Sequence, residues 1–277
     1  MGALSERLTR SPPALWLDTH AYGAHLLTND VAPWLDVAAH TAWQRKLQGL
    51  LKSDVLSLPL AEVVAAWLIQ NAALKVAMAA KTRQVFPLKT LLADEALRRH
   101  LAELAHALRQ GLAGLPFALV LPSPRAWIAL AYAQAHGSAV EVDDDAADSA
   151  ALYIADFLQG FAEVGIDGLL LREASDYAPT SAQDFACYQS LLNVAAHFRW
   201  DMGLHLSHPV DTLSEGWAFA VAPQSIPQRP TAIETPSTFW RGVAHSAGVF
   251  RYAAIPADAN PEAVLERLVA LRKDNHS

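Results

Sequence analysis

Short apolar runs alternate with segments of helical spacing along most of this chain. Eight runs are continuous enough to be strands covered on both faces, a pattern typical of parallel sheets. They cover residues 14–17, 55–58, 117–121, 166–171, 202–206, 217–222, 231–233 and 249–255. Alternating strands and helices imply parallel strands with crossover helices, so the pattern predicts an α/β fold, a (βα)8 TIM-type barrel.

Helical stripes separate these runs. One apolar stripe at three- and four-residue intervals comprises Leu97, Leu101, Leu104, Leu108 and Leu112. A final helix is predicted after Asn260, which can cap it, with Pro261 in its first turn. Its apolar stripe comprises Val264, Leu265, Leu268 and Val269.

Helical periodicity weakens after Pro209, and prolines become frequent up to Arg251. We therefore expect reduced late helices, with loops as the last connections of the barrel. We find no internal repeat, low-complexity linker or domain boundary. Residues 1–277 are expected to form a single barrel domain.

Composition narrows the class of protein. Of 277 residues, 52% are hydrophobic and 18% charged, enough to bury a large core. The net charge of −7 repels phosphate backbones, so no nucleic-acid partner is expected. Residues 63–78 are apolar but interrupted by Gln70, Asn71 and Lys75, which predicts a buried helix and no membrane partner. The N-terminal residues lack a signal-peptide core and Cys187 is the single cysteine, so we expect a cytoplasmic protein.

Several short motifs follow one another in a characteristic order. They are Pro-Pro-Ala-Leu-Trp-Leu at 12–17, Lys-Ser-Asp-Val at 52–55, Gln-Val-Phe-Pro at 84–87, Leu-Val-Leu-Pro-Ser-Pro at 119–124, Gly-Ile-Asp-Gly at 165–168 and Asn-Pro-Glu-Ala-Val at 260–264. This order resembles the uroporphyrinogen decarboxylase superfamily, which includes corrinoid-linked methyltransferases and the catalytic half of cobalamin-independent methionine synthase. The resemblance implies a lyase (decarboxylase) or methyltransferase barrel, and it matches Asp54 to the family's catalytic aspartate.

Two motifs of that superfamily are replaced in this chain. Decarboxylases grip porphyrin carboxylates with an Arg-Gln-Ala-Gly-Arg motif, but residues 18–22 read Asp-Thr-His-Ala-Tyr, so uroporphyrinogen is not the expected substrate. Zinc methyltransferases carry His-x-Cys where this chain has His205-Leu206-Ser207. Because a hydroxyl is a poor zinc ligand, we expect no cofactor, and zinc only in an unusual cysteine-free site.

Barrel enzymes place reactive residues at the C-terminal ends of strands, which selects the candidates here. The predicted catalytic residues are Asp54, His205 and Glu173, and the predicted substrate-binding residues are Asp18, His20, Tyr22, Arg125 and His208. No metal-binding residue is predicted. Arg172 and Glu173 both end the fourth strand, and the sequence does not decide which of them faces inward.

Each candidate has a structural alternative. Asp54 can cap a turn with Ser53 instead of stabilising a reaction intermediate. Arg125 can pair with an acidic neighbour such as Glu173 instead of receiving a carboxylate or phosphate.

The remaining candidates have alternatives of the same kind. His205 and His208 can be a core and a loop histidine instead of a proton-transfer or metal pair. Residues 18–22 can be a solvated loop with a helix cap instead of a pocket wall.

Two functions are compatible with these observations. The first is a divergent decarboxylase or methyltransferase acting on a small organic substrate. The alternative is a catalytically inert accessory or regulatory subunit of a larger enzyme complex. The expected partners are a small molecule and either a second copy of the chain or such a complex. A pocket where the candidates converge favours the first function, whereas an aromatic plug and an exposed apolar patch favour the second.

Overall fold

The computed structural model describes residues 2–179, 181–243 and 248–273. Eight parallel strands form a nearly closed barrel in which neighbours pair in the order β1-β8-β7-β6-β5-β4-β3-β2. The strands are β1 (Leu15–Asp18), β2 (Leu56–Pro59), β3 (Phe117–Pro122), β4 (Gly168–Arg172), β5 (Asp201–His205), β6 (Trp217–Ala222), β7 (Thr231–Thr235) and β8 (Arg251–Ala254). Each predicted run overlaps one strand, so the TIM-type α/β prediction is confirmed.

Helices surround the barrel and supply its crossovers. They are α1 (Ala3–Thr9), α2 (His20–Thr28), α3 (Val37–Leu51), α4 (Leu60–Gln70), α5 (Ala72–Met78), α6 (Phe86–Leu92), α7 (Glu95–Gly111), α8 (Pro124–His136), α9 (Asp144–Leu158), α10 (Gln189–Phe198) and α11 (Pro261–Lys273). Short 3-10 helices add Gln159–Phe161, Ala182–Tyr188 and Ser237–Arg241. Between β5 and β8 the described residues contain no α-helix, which confirms the prediction of reduced late helices.

Two helix predictions need correction. The apolar tract at 63–78 is two helices, α4 and α5, bent by 107°. Ile69 and Val76 on this elbow are 79% and 73% exposed, so the tract is only partly buried. In α11, Asn260 caps as predicted, but Leu265 and Val269 are about half exposed. The stripe that packs against the barrel is instead Val264, Leu268 and Leu271.

No single helix in the described parts of the chain is long and apolar enough to cross a membrane. The bent pair α4–α5 reaches the required length and apolarity only when its two helices are counted together.

Aromatic side chains fill the middle of the barrel. The Trp16 ring lies 5.8 Å from the rings of both Phe219 and Tyr252, and its Nε1 donates to Ser57 Oγ at 2.7 Å. All three rings are at most 2% exposed. Because the interior of a TIM-type barrel is a packed core, this layer is what the fold requires and does not by itself indicate a blocked site.

Helix α1 closes the N-terminal end of the barrel. Leu4 and Leu8 are fully buried against the interior residues. The Asp201 carboxylate accepts hydrogen bonds from the backbone N–H groups of Gly2 and Ser5, at 3.0 and 2.8 Å. A carboxylate at a helix N-terminus satisfies free donors and complements the helix dipole, so β5 holds this plug in place.

The seam between β1 and β2 is closed chiefly by side chains. Asp54 N–H donates to Leu15 O and the Asp54 carboxylate accepts from Leu15 N–H, both at 2.8 Å. Ser53 Oγ accepts from Leu17 N–H at 3.1 Å, and Arg7 pairs with Asp54 at 2.8 Å. Asp54 precedes β2 and lies at the N-terminal end of the barrel, so its expected position at a C-terminal strand end is wrong.

Replacing Asp54 tests its part in closing the seam. Asp54→Ala leaves Leu15 N–H without its acceptor and Arg7 without its partner. We expect the free energy of unfolding to fall by about 1–3 kcal/mol, measured by urea denaturation. Asp148→Ala, which changes an exposed helix carboxylate, should shift it by less than about 0.5 kcal/mol. An Asp54→Ala protein as stable as the control contradicts the assignment.

Candidate functional site

Four ionisable side chains form a layer at the C-terminal mouth of the barrel. Asp18, Arg172, His205 and Glu234 lie at or near the ends of β1, β4, β5 and β7. Side chains alternate along a strand, and the residues two positions before Asp18, Arg172 and Glu234 belong to the buried interior cluster. The mouth is therefore polar directly above the aromatic layer.

Arg172 is the centre of this layer. Its Nη2 donates to Asp18 Oδ2 at 2.5 Å and to the Tyr252 hydroxyl at 2.9 Å, and Nη1 lies 3.7 Å from Glu62 on α4. Burial opposes the guanidinium charge, but Tyr252 and Asp18 outweigh it and raise the pKa of Arg172 above its usual value. The inward-facing residue that the sequence left undecided is Arg172.

Asp18 is held as a carboxylate by two neighbours. Burial opposes its ionisation, but the hydrogen bond from His20 and the charge of Arg172 hold the pKa of Asp18 well below its usual range. His20 Nδ1 lies 3.3 Å from Asp18 Oδ1. Asp18 thus lies in the mouth, as its predicted substrate-binding role requires.

His205 and Glu234 form the second polar pair. His205 Nε2 lies 3.0 Å from Glu234 Oε2. A carboxylate can only accept, so Nε2 carries a proton, and in a neutral ring Nδ1 then holds the lone pair. Nδ1 is buried and has no hydrogen-bond partner among the described residues. Burial opposes ionisation of Glu234, but the hydrogen bond from His205 and nearby positive charge, including that of Arg172, together outweigh it and lower the pKa of Glu234.

Glu173 points away from the barrel interior. Its carboxylate accepts from Ser123 Oγ and Tyr188 OH, both at 2.6 Å, and from Ala174 N–H at 2.9 Å. It is 8% exposed and ties the end of β4 to α8 and the segment before α10. Three donors are what a buried carboxylate needs, so these contacts already account for its position.

Arg125 lies in the first turn of α8, outside the barrel mouth. Its guanidinium donates to Val142 O and Asp144, and it stacks 4.7 Å from the centre of the Tyr177 ring. The side chain is 6% exposed. Its expected position at the mouth is therefore corrected, and the structural alternative fits better, with Asp144 instead of Glu173 as the acidic partner.

The other predicted substrate-binding residues lie beside the mouth. The His20 ring packs 5.6 and 6.1 Å from the rings of Trp34 and Trp43. Tyr22 is 2% exposed within the cluster between the barrel and α3, which corrects its expected place in a pocket wall. His208 Nε2 lies 3.0 Å from Ser175 O and links the loops that follow β4 and β5.

Two clefts open on opposite sides of the polar layer. The first, called the α4–α8 cleft, measures about 520 Å³. Its lining includes Glu62, Pro122, Leu130, Arg172, Glu173 and Asp176. The second, called the β7–β8 cleft, measures about 600 Å³. Its lining is Leu206, Ser207, Pro223, Glu234, Thr235, Pro236, Ser237, Ala254, Ile255 and Pro256.

A series of contacts joins the two clefts. Arg172 in the α4–α8 cleft bonds Tyr252, whose ring lies 5.1 Å from the His205 ring. His205 in turn bonds Glu234, which lines the β7–β8 cleft. These residues of β4, β5, β7 and β8 are called the polar bridge; its middle contact, between Tyr252 and His205, is a ring contact, and its other contacts are hydrogen bonds.

Glu234 was not among the sequence candidates. The seventh apolar run was predicted to end at residue 233, but the strand continues to Thr235. If the predicted strand had been extended by one residue, the alternation of side chains along it would have placed Glu234 at the strand end, facing inward.

The zinc site of the methyltransferases does not fit these residues. Among the described residues, no group of three His, Cys, Asp or Glu side chains is arranged to hold a metal ion. His205 directs its Nε2 to Glu234, and Ser207 occupies the position of the expected thiolate.

Comparisons with known proteins bear on the fold. No protein-family model matches the sequence, and no curated protein does. Among solved structures, the chain is similar to a methyltransferase from Methanosarcina mazei, with a TM-score of 0.57 and 12% sequence identity. The match covers 100% of both chains. At this identity the similarity establishes a shared barrel fold.

The Asp18–Arg172 pair predicts a pH-dependent contribution to stability. Because the folded-state pKa of Asp18 is lowered, its contribution is present above the unfolded-state pKa of about 4 and is lost as the pH falls below it. Asp18→Asn should lower the free energy of unfolding by about 1–3 kcal/mol at pH 7. This is less than the loss expected when a fully buried ion pair is broken. Urea denaturation at several pH values should show that the difference in stability between the wild type and Asp18→Asn becomes smaller in acid. A difference that does not change with pH contradicts the stabilising role of the Asp18 carboxylate.

Proposed function

We propose that this barrel is a group-transfer enzyme, of methyltransferase type, acting on small organic molecules. The observation that carries the proposal is the polar bridge from Arg172 to Glu234 between two clefts. A transfer reaction brings a donor and an acceptor together with their reacting atoms about 3–3.5 Å apart, and two clefts that meet at one layer of polar side chains can hold one reactant each. The methyltransferase with the same barrel fold supports this reaction class.

His205 is the proposed general base. Glu234, which lines the β7–β8 cleft, fixes Nε2 of His205 and so orients the ring as a base. Nδ1 is buried without a partner, and the proposed step requires the acceptor to reach that atom. As the acceptor atom loses its proton to Nδ1, it forms a bond to the methyl carbon. The bond from that carbon to the donor breaks, and the leaving group departs with the electron pair. Arg172 is placed to stabilise negative charge that develops on the leaving group.

The charge of the mouth favours transfer over decarboxylation. Asp18, Glu62 and Glu234 are three carboxylates near one guanidinium. A decarboxylase must bind a substrate carboxylate, and an excess of negative charge raises the free energy of that complex. Decarboxylation also needs one organic reactant, so it gives no reason for a second cleft.

The inert-subunit function retains one observation in its favour. The elbow of α4 and α5 exposes Ile69 and Val76, and α8 adds the half-exposed Leu130. Exposed apolar side chains are a feature of protein docking surfaces. The polar mouth is not plugged, however, since the aromatic layer ends below it.

A transfer assay tests the proposal. The purified protein is incubated with mixed small methyl donors and acceptors, and mass spectrometry detects paired loss and gain of a methyl group. We expect His205→Gln to lower the rate by about 10²–10⁴-fold, because the general base is lost. His106→Gln, which changes an exposed histidine of α7 outside both clefts, should retain the rate.

Two results contradict the proposal. One is a His205→Gln protein that is as active as the wild type. The other is the absence of any paired transfer from a folded wild-type protein, which favours the accessory-subunit function instead.

A further inference from the structure

We propose that the β7–β8 cleft binds the ammonium end of a small organic cation, with Glu234 as its counter-charge. This names the chemical class of one of the two reactants, and to that extent it rests on the proposed function. The binding site itself stands on the lining of the cleft and is tested without turnover.

Glu234 is the single charged residue in that lining, and no lysine or arginine of the described chain accompanies it. Its Oε2 accepts from His205, while no described residue donates to Oε1. The side chain is 41% exposed, so Oε1 is open to a ligand. A carboxylate with a free oxygen and no opposing cation attracts a donor that carries positive charge.

The other polar groups of the cleft are hydroxyls. Ser207, Thr235 and Ser237 contribute them, and none of the three carries charge. Thr235 is 3% exposed and its Oγ1 is buried, whereas Ser207 and Ser237 are exposed. The two serine hydroxyls are therefore open to the uncharged polar end of a ligand.

The remaining walls are apolar. Leu206, Ala254, Ile255 and three prolines line the cleft, whose volume is about 600 Å³. A bare metal ion would find one carboxylate and no second anionic ligand, which is too few for a stable site. An organic molecule with an ammonium group at one end, a short hydrocarbon part and a hydroxyl matches all three kinds of wall.

Nearby charge keeps Glu234 ionised. Arg172 favours the carboxylate form of Glu234, and this effect is larger than the opposing effect of Asp18. An anionic ligand in the β7–β8 cleft would face Glu234 directly. A neutral ligand would leave the Oε1 atom without a charged donor.

Three matched probes test the proposal by isothermal titration and ligand-observed NMR. They are 5-amino-1-pentanol, a cation, 1-hexanol, its neutral counterpart, and 6-hydroxyhexanoate, an anion. We expect the cation to bind at least about tenfold more tightly than 1-hexanol, and the anion to bind more weakly still, because a hydrogen bond to a charged group is involved.

Variants locate the site. Glu234→Gln should weaken binding of the cation about tenfold or more. Asp211→Asn, which removes the same charge from an exposed loop residue outside the lining, should leave it unchanged. Ser237→Lys places a fixed ammonium at the exposed edge of the cleft and should abolish binding of the cation, and it serves if Glu234→Gln fails to fold.

Equal binding of 5-amino-1-pentanol and 1-hexanol overturns the proposal, as does equal weakening by Glu234→Gln and Asp211→Asn. Glu234-dependent binding of the cation without any methyl transfer leaves this site in place and contradicts only the proposed function. Methyl transfer by a wild-type protein that does not distinguish the probes contradicts only the cation site.

Discussion

Arg172 places a permanent positive charge where the barrel interior meets solvent. A guanidinium cannot lose its proton to escape burial, so the surrounding strands must supply partners. Asp18 on β1 and Tyr252 on β8 both bond it, and Glu62 approaches it from α4. One cation thereby orients side chains from opposite parts of the barrel. It also keeps the mouth polar above an aromatic core, and every chemical property inferred for the site follows from that polarity.

The fold could be predicted from the sequence because buried parallel strands are apolar on both faces, and all eight were visible as runs. The site was harder, because a shift of one residue along a strand reverses the direction of a side chain. Arg172 and Glu173 are neighbours, yet one enters the mouth and the other binds the helix layer. Asp54 resembled a catalytic residue in its motif, but its position before β2 places it at the other end of the barrel.

The polar groups of this mouth differ in sign from those that the family resemblance implies. Arginines that grip carboxylates are expected after β1, but Asp18 stands there and is itself bound by an arginine of β4. The strand ends of a barrel accept different side chains without altering the buried layers below. In this barrel, four inward-facing positions decide the charge of the mouth.

The joint between β1 and β2 depends on side chains, so the barrel is not held together in the same way at every joint between neighbouring strands. At seven joints the strands are held by peptide groups, which every residue type provides, so substitutions that preserve the strand preserve the joint. At the eighth, Ser53 Oγ and the Asp54 carboxylate act as acceptors beside one backbone bond from Asp54 N–H to Leu15 O. Barrel closure therefore depends on amino-acid identity more at this joint than at the seven paired ones. Substitution of Ser53 and Asp54 therefore weakens this joint directly, whereas substitutions elsewhere that preserve the strands leave their backbone pairing in place.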